Sequence, residues 1–157
     1  MTTPQEVITL ITDAFSSVRR PPPEQFSHCD QCDLWVERFL ESDVQNWRDL
    51  LSDDIAYEYA ALTAVTPQGW QFLVPAYMIW YVRHPKARSN TSEHLVWQLT
   101  RRSWDDAHKR ACFEGLDASQ AMAVKAFLSY VAQNGEYEND QKDARVALES
   151  FWQQAGA

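Results

Sequence analysis

The stretch Thr3-Pro4-Gln5-Glu6-Val7-Ile8-Thr9-Leu10-Ile11-Thr12-Asp13-Ala14-Phe15-Ser16-Ser17-Val18 decides the fold class. It opens with a threonine at the N-cap, a proline at the first helical position and a glutamate three residues on. That combination satisfies the orphan amides of a helix start. Val7, Ile8, Leu10, Ile11, Ala14, Phe15 and Val18 then recur at helical spacing and give one broad apolar face. The same pattern returns twice. Thr66-Pro67 leads into the aromatic segment Trp70 to Val82, and Asp117-Ala118-Ser119-Gln120 opens a helix through Met122, Val124, Phe127, Leu128 and Val131 that ends near Asn134-Gly135.

Working outward, Pro21-Pro22-Pro23 stops the first helix, because proline lacks the amide donor and clashes with the preceding turn. A second helix is expected over about 30–41 with Leu34, Trp35, Phe39 and Leu40 inward. Ser42 and Ser52 are expected to cap two short pieces, the first carrying Val44, Trp47, Leu50 and Leu51, the second Ile55, Tyr59 and Leu62. Pro75 predicts either a kink in the aromatic segment or two abutting helices. The polar stretch His84 to Ser92 reads as a loop. Helices follow from about Ser92 to Thr100, from Ser103 to Glu114 with Gly115 as the stop, and from Glu138 to Gln154 with Ala144, Leu148, Phe151 and Trp152 inward. No run alternates apolar and polar residues with β-branched enrichment. The expectation is an all-α, single-domain irregular bundle of six to eight helices spanning residues 1–157.

Composition narrows the function classes. The 157 residues carry 14 Lys+Arg against 22 Asp+Glu, a formal net charge of −8, which argues against a general nucleic-acid binder. Four glycines leave little material for a phosphate-cradling loop. The longest apolar run, Phe72 to Val82, is shorter than the roughly 20 residues of a membrane span. Met1 to Glu6 has no basic region and no apolar signal core, so the cytoplasm is the expected compartment. Three cysteines without such a signal argue against a disulfide framework.

Pro21-Pro22-Pro23, His28-Cys29-Asp30-Gln31-Cys32 and Trp47-Arg48-Asp49-Leu50 resemble elements of a family of small uncharacterised bacterial proteins, a domain of unknown function. The likeness continues through Tyr57-Glu58-Tyr59-Ala60-Ala61-Leu62, Thr66-Pro67 and Leu73-Val74-Pro75-Ala76-Tyr77-Met78, and weakens after Val82. The resemblance implies a bacterial single-domain protein and supplies no activity, cofactor or catalytic residue.

The most specific chemical feature is His28-Cys29-x-x-Cys32. Two thiolates at this spacing can share one zinc, and His28 can supply a third ligand. His108 and Cys112, four apart on one helical face, are candidates to complete the set. The competing expectation is two small buried cysteines and a polar loop histidine. A redox role would look for a βαβ context that the sequence lacks, and haem attachment needs a histidine directly after the second cysteine, where Asp33 stands. Asp105, His108 and Cys112 contain the residue types of a nucleophilic triad, but one helix splays such side chains rather than converging them.

Seven tryptophans, at 35, 47, 70, 80, 97, 104 and 152, are expected mostly in the core, about five of them buried. The Tyr57, Tyr59, Trp70, Tyr77, Trp80 and Tyr81 group either lines a groove or seals helices together, with sealing preferred. From Arg83 to Arg110 the chain is net +4, against −12 for the remainder, a patch read as solvated or as complementing the chain's own acidic surface. Arg19-Arg20 followed by three prolines reads as a stiff connector before a polyproline ligand. The function expected from these absences is a small binding or regulatory protein acting through a protein partner without catalysis. The alternatives are a zinc protein built on His28, Cys29 and Cys32, and a small-molecule binder with an aromatic groove.

Overall fold

The computed structural model describes residues 2–87, 89–100 and 106–153. Among them nine α-helices run in the order α1 (Pro4–Ala14), α2 (Glu37–Glu41), α3 (Ser52–Tyr57), α4 (Ala61–Ala64), α5 (Pro67–Arg83), α6 (Asn90–Gln98), α7 (Asp106–Glu114), α8 (Ala118–Asn134) and α9 (Glu138–Ala147). Three 3-10 turns, Pro23–Gln25, Asp30–Trp35 and Trp47–Asp49, fill the first half, and a π turn, Leu148–Trp152, continues α9. The described residues contain no strand, only the isolated bridge between Ser27 and Val65. The chain is all-α, as its periodicity requires, and six of the helices have seven or more residues. No helix among the described residues is long and apolar enough to cross a membrane.

The locally encoded starts form as read. Thr3 accepts from the Glu6 amide while the Glu6 carboxylate accepts from the Thr3 amide, a complete capping box. Asp117 and Gln120 make the second box, and Thr66 caps α5 by accepting from the Gly69 amide. Pro75 lies inside one continuous helix, so the two-helix alternative is not taken. Helix α5 is buried on every side from Gly69 to Val82 apart from half-buried Gln71, and α1, α7 and other elements pack around it. An all-round apolar helix is stable only in such a place. Trp70, Tyr77, Trp80 and Tyr81 seal it against its neighbours, whereas Tyr57 and Tyr59 face solvent.

The expected helix over 30–41 is a 3-10 turn followed by short α2. Val36 and Phe39 are buried, while Leu34 and Trp35 point outward. Asp30, Asp33, Glu37 and Glu41 interrupt the apolar residues, and the tight turn leaves no 3.6-residue apolar face there. Ser42 caps nothing: its Oγ accepts from the Val44 amide, and Asn46 caps the Trp47–Asp49 turn. Ser52 is the first residue of α3 and accepts from Trp80 Nε1 at 3.0 Å. The expected loop at 84–92 is shorter, because Ser89 caps α6. Among the described residues four tryptophans, at 47, 70, 80 and 152, are buried, Trp97 is half-buried and Trp35 exposed; Trp104 lies outside the described residues, as do Ser103 and Asp105. The Arg19-Arg20-proline stretch is a connector held in place, with Arg20 donating to the Val44 carbonyl at 3.1 Å and to the Phe39 carbonyl.

Candidate functional site

A short antiparallel contact sets up the site. His28 N–H donates to the Ala64 carbonyl at 2.8 Å, and Thr66 N–H donates to the Phe26 carbonyl at 3.0 Å. Thr66 Oγ1 also donates to the Gln25 carbonyl. Glycine is required at position 69, where a Cβ would stand 2.7 Å from the Phe26 carbonyl oxygen. These contacts hold residues 26–28 against the start of α5 and bring the following turn to the mouth of a cleft.

The cleft has a volume of about 490 Å³ and lies between the Asp30–Trp35 turn, α4, α6 and α7. Trp70 reaches it from α5, and Trp35 and Tyr59, 50% and 38% exposed, stand at its rim. His94 and Trp97, one helical turn apart on α6, both line the cleft as a stacked pair, with rings only 3° from parallel and centroids 5.8 Å apart. Gln98 Nε2 donates to Thr63 Oγ1 at 3.0 Å, and His94 Nε2 lies 3.4 Å from the same hydroxyl, giving the cleft one polar edge. Lys109, from α7, is buried: its Nζ donates to the Thr100 carbonyl at 3.0 Å and sits 4.5 Å from the Trp97 ring centroid. Burial, and then the Lys109 cation, lowers the His94 pKa from its ordinary value and favours the neutral imidazole.

The residues singled out in the sequence meet here. The His28 and His108 rings lie with centroids 4.0 Å apart and planes tilted by 30°, and His108 Nε2 lies 3.8 Å from the Cys112 sulfur. Cys112 is buried with Phe113 on the core side of α7, while Cys32 and His108 line the same cleft. Cys29 and Cys32 are joined in a disulfide, contrary to the expectation from cysteine count and compartment. The reason is local: in the 3-10 turn the Cys32 amide donates to the Cys29 carbonyl at 3.0 Å and the Cα atoms stand 5.1 Å apart, within bridging range, so no wider framework is needed. With their sulfurs bonded to each other, Cys29 and Cys32 are not set out as a pair of thiolates. Among the described residues no group of three or more His, Cys, Asp or Glu is arranged to hold a metal ion. Of the basic stretch, Lys109 is buried, whereas Arg110 is exposed and lies 3.9 Å from Glu114 at the surface. Arg88, Arg101 and Arg102 lie outside the described residues.

Sequence reasoning missed His94, Trp97, Gln98, Thr63 and Lys109. The signal was present in His94-x-x-Trp97-Gln98, where two aromatic rings and an amide share one helical face.

The sequence model of a family of unknown function, DUF6714, matches residues 3–156. The chain belongs to that family. No curated protein and no solved structure matches it significantly. Membership in DUF6714 accounts for nearly the whole chain and assigns no role to the cleft, which must therefore be argued from its own chemistry.

Proposed function

We propose that this DUF6714 chain is a binding protein whose cleft takes a flat aromatic molecule that is neutral or anionic. The cleft itself supports this reading: its volume lies within the roughly 300–1,000 Å³ of small-molecule sites, and Trp35, Tyr59, Trp70 and Trp97 surround it. The stacked His94–Trp97 pair offers aromatic contacts, the Thr63–Gln98 edge offers hydrogen bonds, and the Lys109 cation disfavours a positively charged guest. The test is calorimetry with naphthalene-1-sulfonate and its cationic counterpart 1-naphthylammonium. The sulfonate is expected to bind once per chain, and Trp97→Ala to weaken it by about tenfold, the loss of about 1.4 kcal/mol of stacking. No saturable binding, or tighter binding of the cation, would overturn the proposal.

A protein partner is the second reading, favoured by Leu34, 74% exposed beside Trp35 on the same turn. On this reading a partner's aromatic side chain enters the cleft while Leu34 covers part of its flank. N-acetyltryptophanamide would then compete with naphthalene-1-sulfonate, and Leu34→Asp would weaken a tryptophan-bearing peptide without affecting the sulfonate.

A further inference from the structure

The cleft does not use the disulfide on its rim. A bridge closing so short a loop adds little to the fold, because the entropy removed from the unfolded chain grows with loop length. Its two sulfurs also differ in setting. Cys29 is exposed at the start of the turn, whereas Cys32 is half-buried and lines the cleft. Thiol–disulfide exchange requires that the attacking thiolate reach one sulfur in line while the other departs, and the difference in exposure directs the attack to Cys29. Cys32 lines the same cleft as His108 and Lys109, and the ring of His28, next to Cys29, lies 4.0 Å centroid to centroid from that of His108.

We propose that Cys29 and Cys32 form a thiol–disulfide exchange site that accepts two electrons from a dithiol. A thiolate of the dithiol attacks the Cys29 sulfur, the Cys29–Cys32 bond breaks, and its electron pair leaves on Cys32 as a thiolate. The dithiol's second thiolate then attacks its own sulfur in the mixed disulfide and releases Cys29 as a thiolate. The dithiol ends as a cyclic disulfide, the protein as a dithiol, and the two protons lost by the dithiol are taken up by the cysteines from solvent. The site shares a wall with the cleft but does not depend on a guest within it.

The full chain is equilibrated in native buffer with graded ratios of reduced to oxidised dithiothreitol, alkylated with iodoacetamide and read by mass spectrometry. Two labels are expected, on Cys29 and Cys32, appearing and disappearing together as the ratio is raised and lowered, with buried Cys112 unlabelled. Cys32→Ser is expected to react with glutathione disulfide at Cys29 at least about tenfold faster than Cys29→Ser reacts at Cys32. Resistance of the native pair to dithiothreitol, with reduction only in denaturant, would overturn the proposal, as would equal rates in the two variants. The wild-type titration stands even if a variant fails to fold. Because dithiothreitol needs no aromatic site, failure here is separate from failure of naphthalene-1-sulfonate binding.

Discussion

Glu58 shows how one side chain can work against the fold that contains it. It is buried, and its Oε1 has no hydrogen-bond partner among the described residues, while its backbone carbonyl accepts from the Tyr77 hydroxyl at 2.5 Å. Burial raises its pKa above the ordinary carboxyl value of 4.5, a hydrogen bond from the Arg38 backbone and then the Arg38 cation oppose the shift, and Glu37 and Asp54 add to it. A carboxyl whose folded pKa is raised binds its proton more tightly when folded. Its burden on stability is therefore absent below pH 4.5 and grows as pH rises through the folded value. Glu58→Gln keeps the shape and removes the charge. Urea unfolding at pH 7.5 is expected to show the variant more stable than wild type, and at pH 4 the two midpoints should converge. A variant less stable at pH 7.5 but matched to wild type at pH 4 would mean that the carboxylate's interaction with Arg38 outweighs its burial.

At the scale of the element, α8 shows why some of this structure is legible in sequence. Asp117 accepts from the Gln120 amide at 2.8 Å, and Gln120 Oε1 accepts from the Asp117 amide at 3.1 Å and from Gln71 Nε2 at 2.8 Å. The box thus caps α8 and also ties its first turn to α5. Asp117→Ala is expected to cost about 1 kcal/mol, read as a lower urea midpoint at unchanged slope, and Asp117→Ser to recover most of it. The caps at Thr3, Thr66 and Asp117 could be read because donor and acceptor lie within three residues. The segment from 28 to 60 could not, because its short turns take their shape from distant partners: Arg20 on the Phe39 and Val44 carbonyls, Trp47 Nε1 on the Phe15 carbonyl at 2.9 Å, and Ser27 on Val65. The site divides the same way. His28, Cys29, Cys32, His108 and Cys112 were visible by residue type, but the approach of two histidines 80 residues apart and the aromatic wall of α6 depend on how α4, α6 and α7 meet.

Across the whole molecule, the cleft and the core share one set of rings. Trp70 lines the cleft and lies 5.6 Å, centroid to centroid, from Phe113, which in turn lies 4.8 Å from Trp152. Trp152 is fully buried in the π turn after α9, and its Nε1 donates at 2.8 Å to the carbonyl of Leu99, just beyond the helix carrying His94 and Trp97. The C-terminal turn therefore braces the cleft wall from behind without touching a guest. Trp152→Ala removes both the ring and the hydrogen bond and is expected to cost about 3–5 kcal/mol, a large share of the roughly 5–15 kcal/mol that holds a domain together. Trp152→Phe keeps most of the apolar volume but leaves the buried Leu99 carbonyl without its donor, an expected cost of about 1–3 kcal/mol. Urea unfolding ranks the two variants, and naphthalene-1-sulfonate binding to the still-folded Trp152→Phe separates bracing from stability. A weaker affinity at unchanged helix content means that the Leu99 hydrogen bond sets the position of the α6 wall. Unchanged affinity means that the wall is held by its packing against α4 and α9 and that Trp152 contributes stability alone.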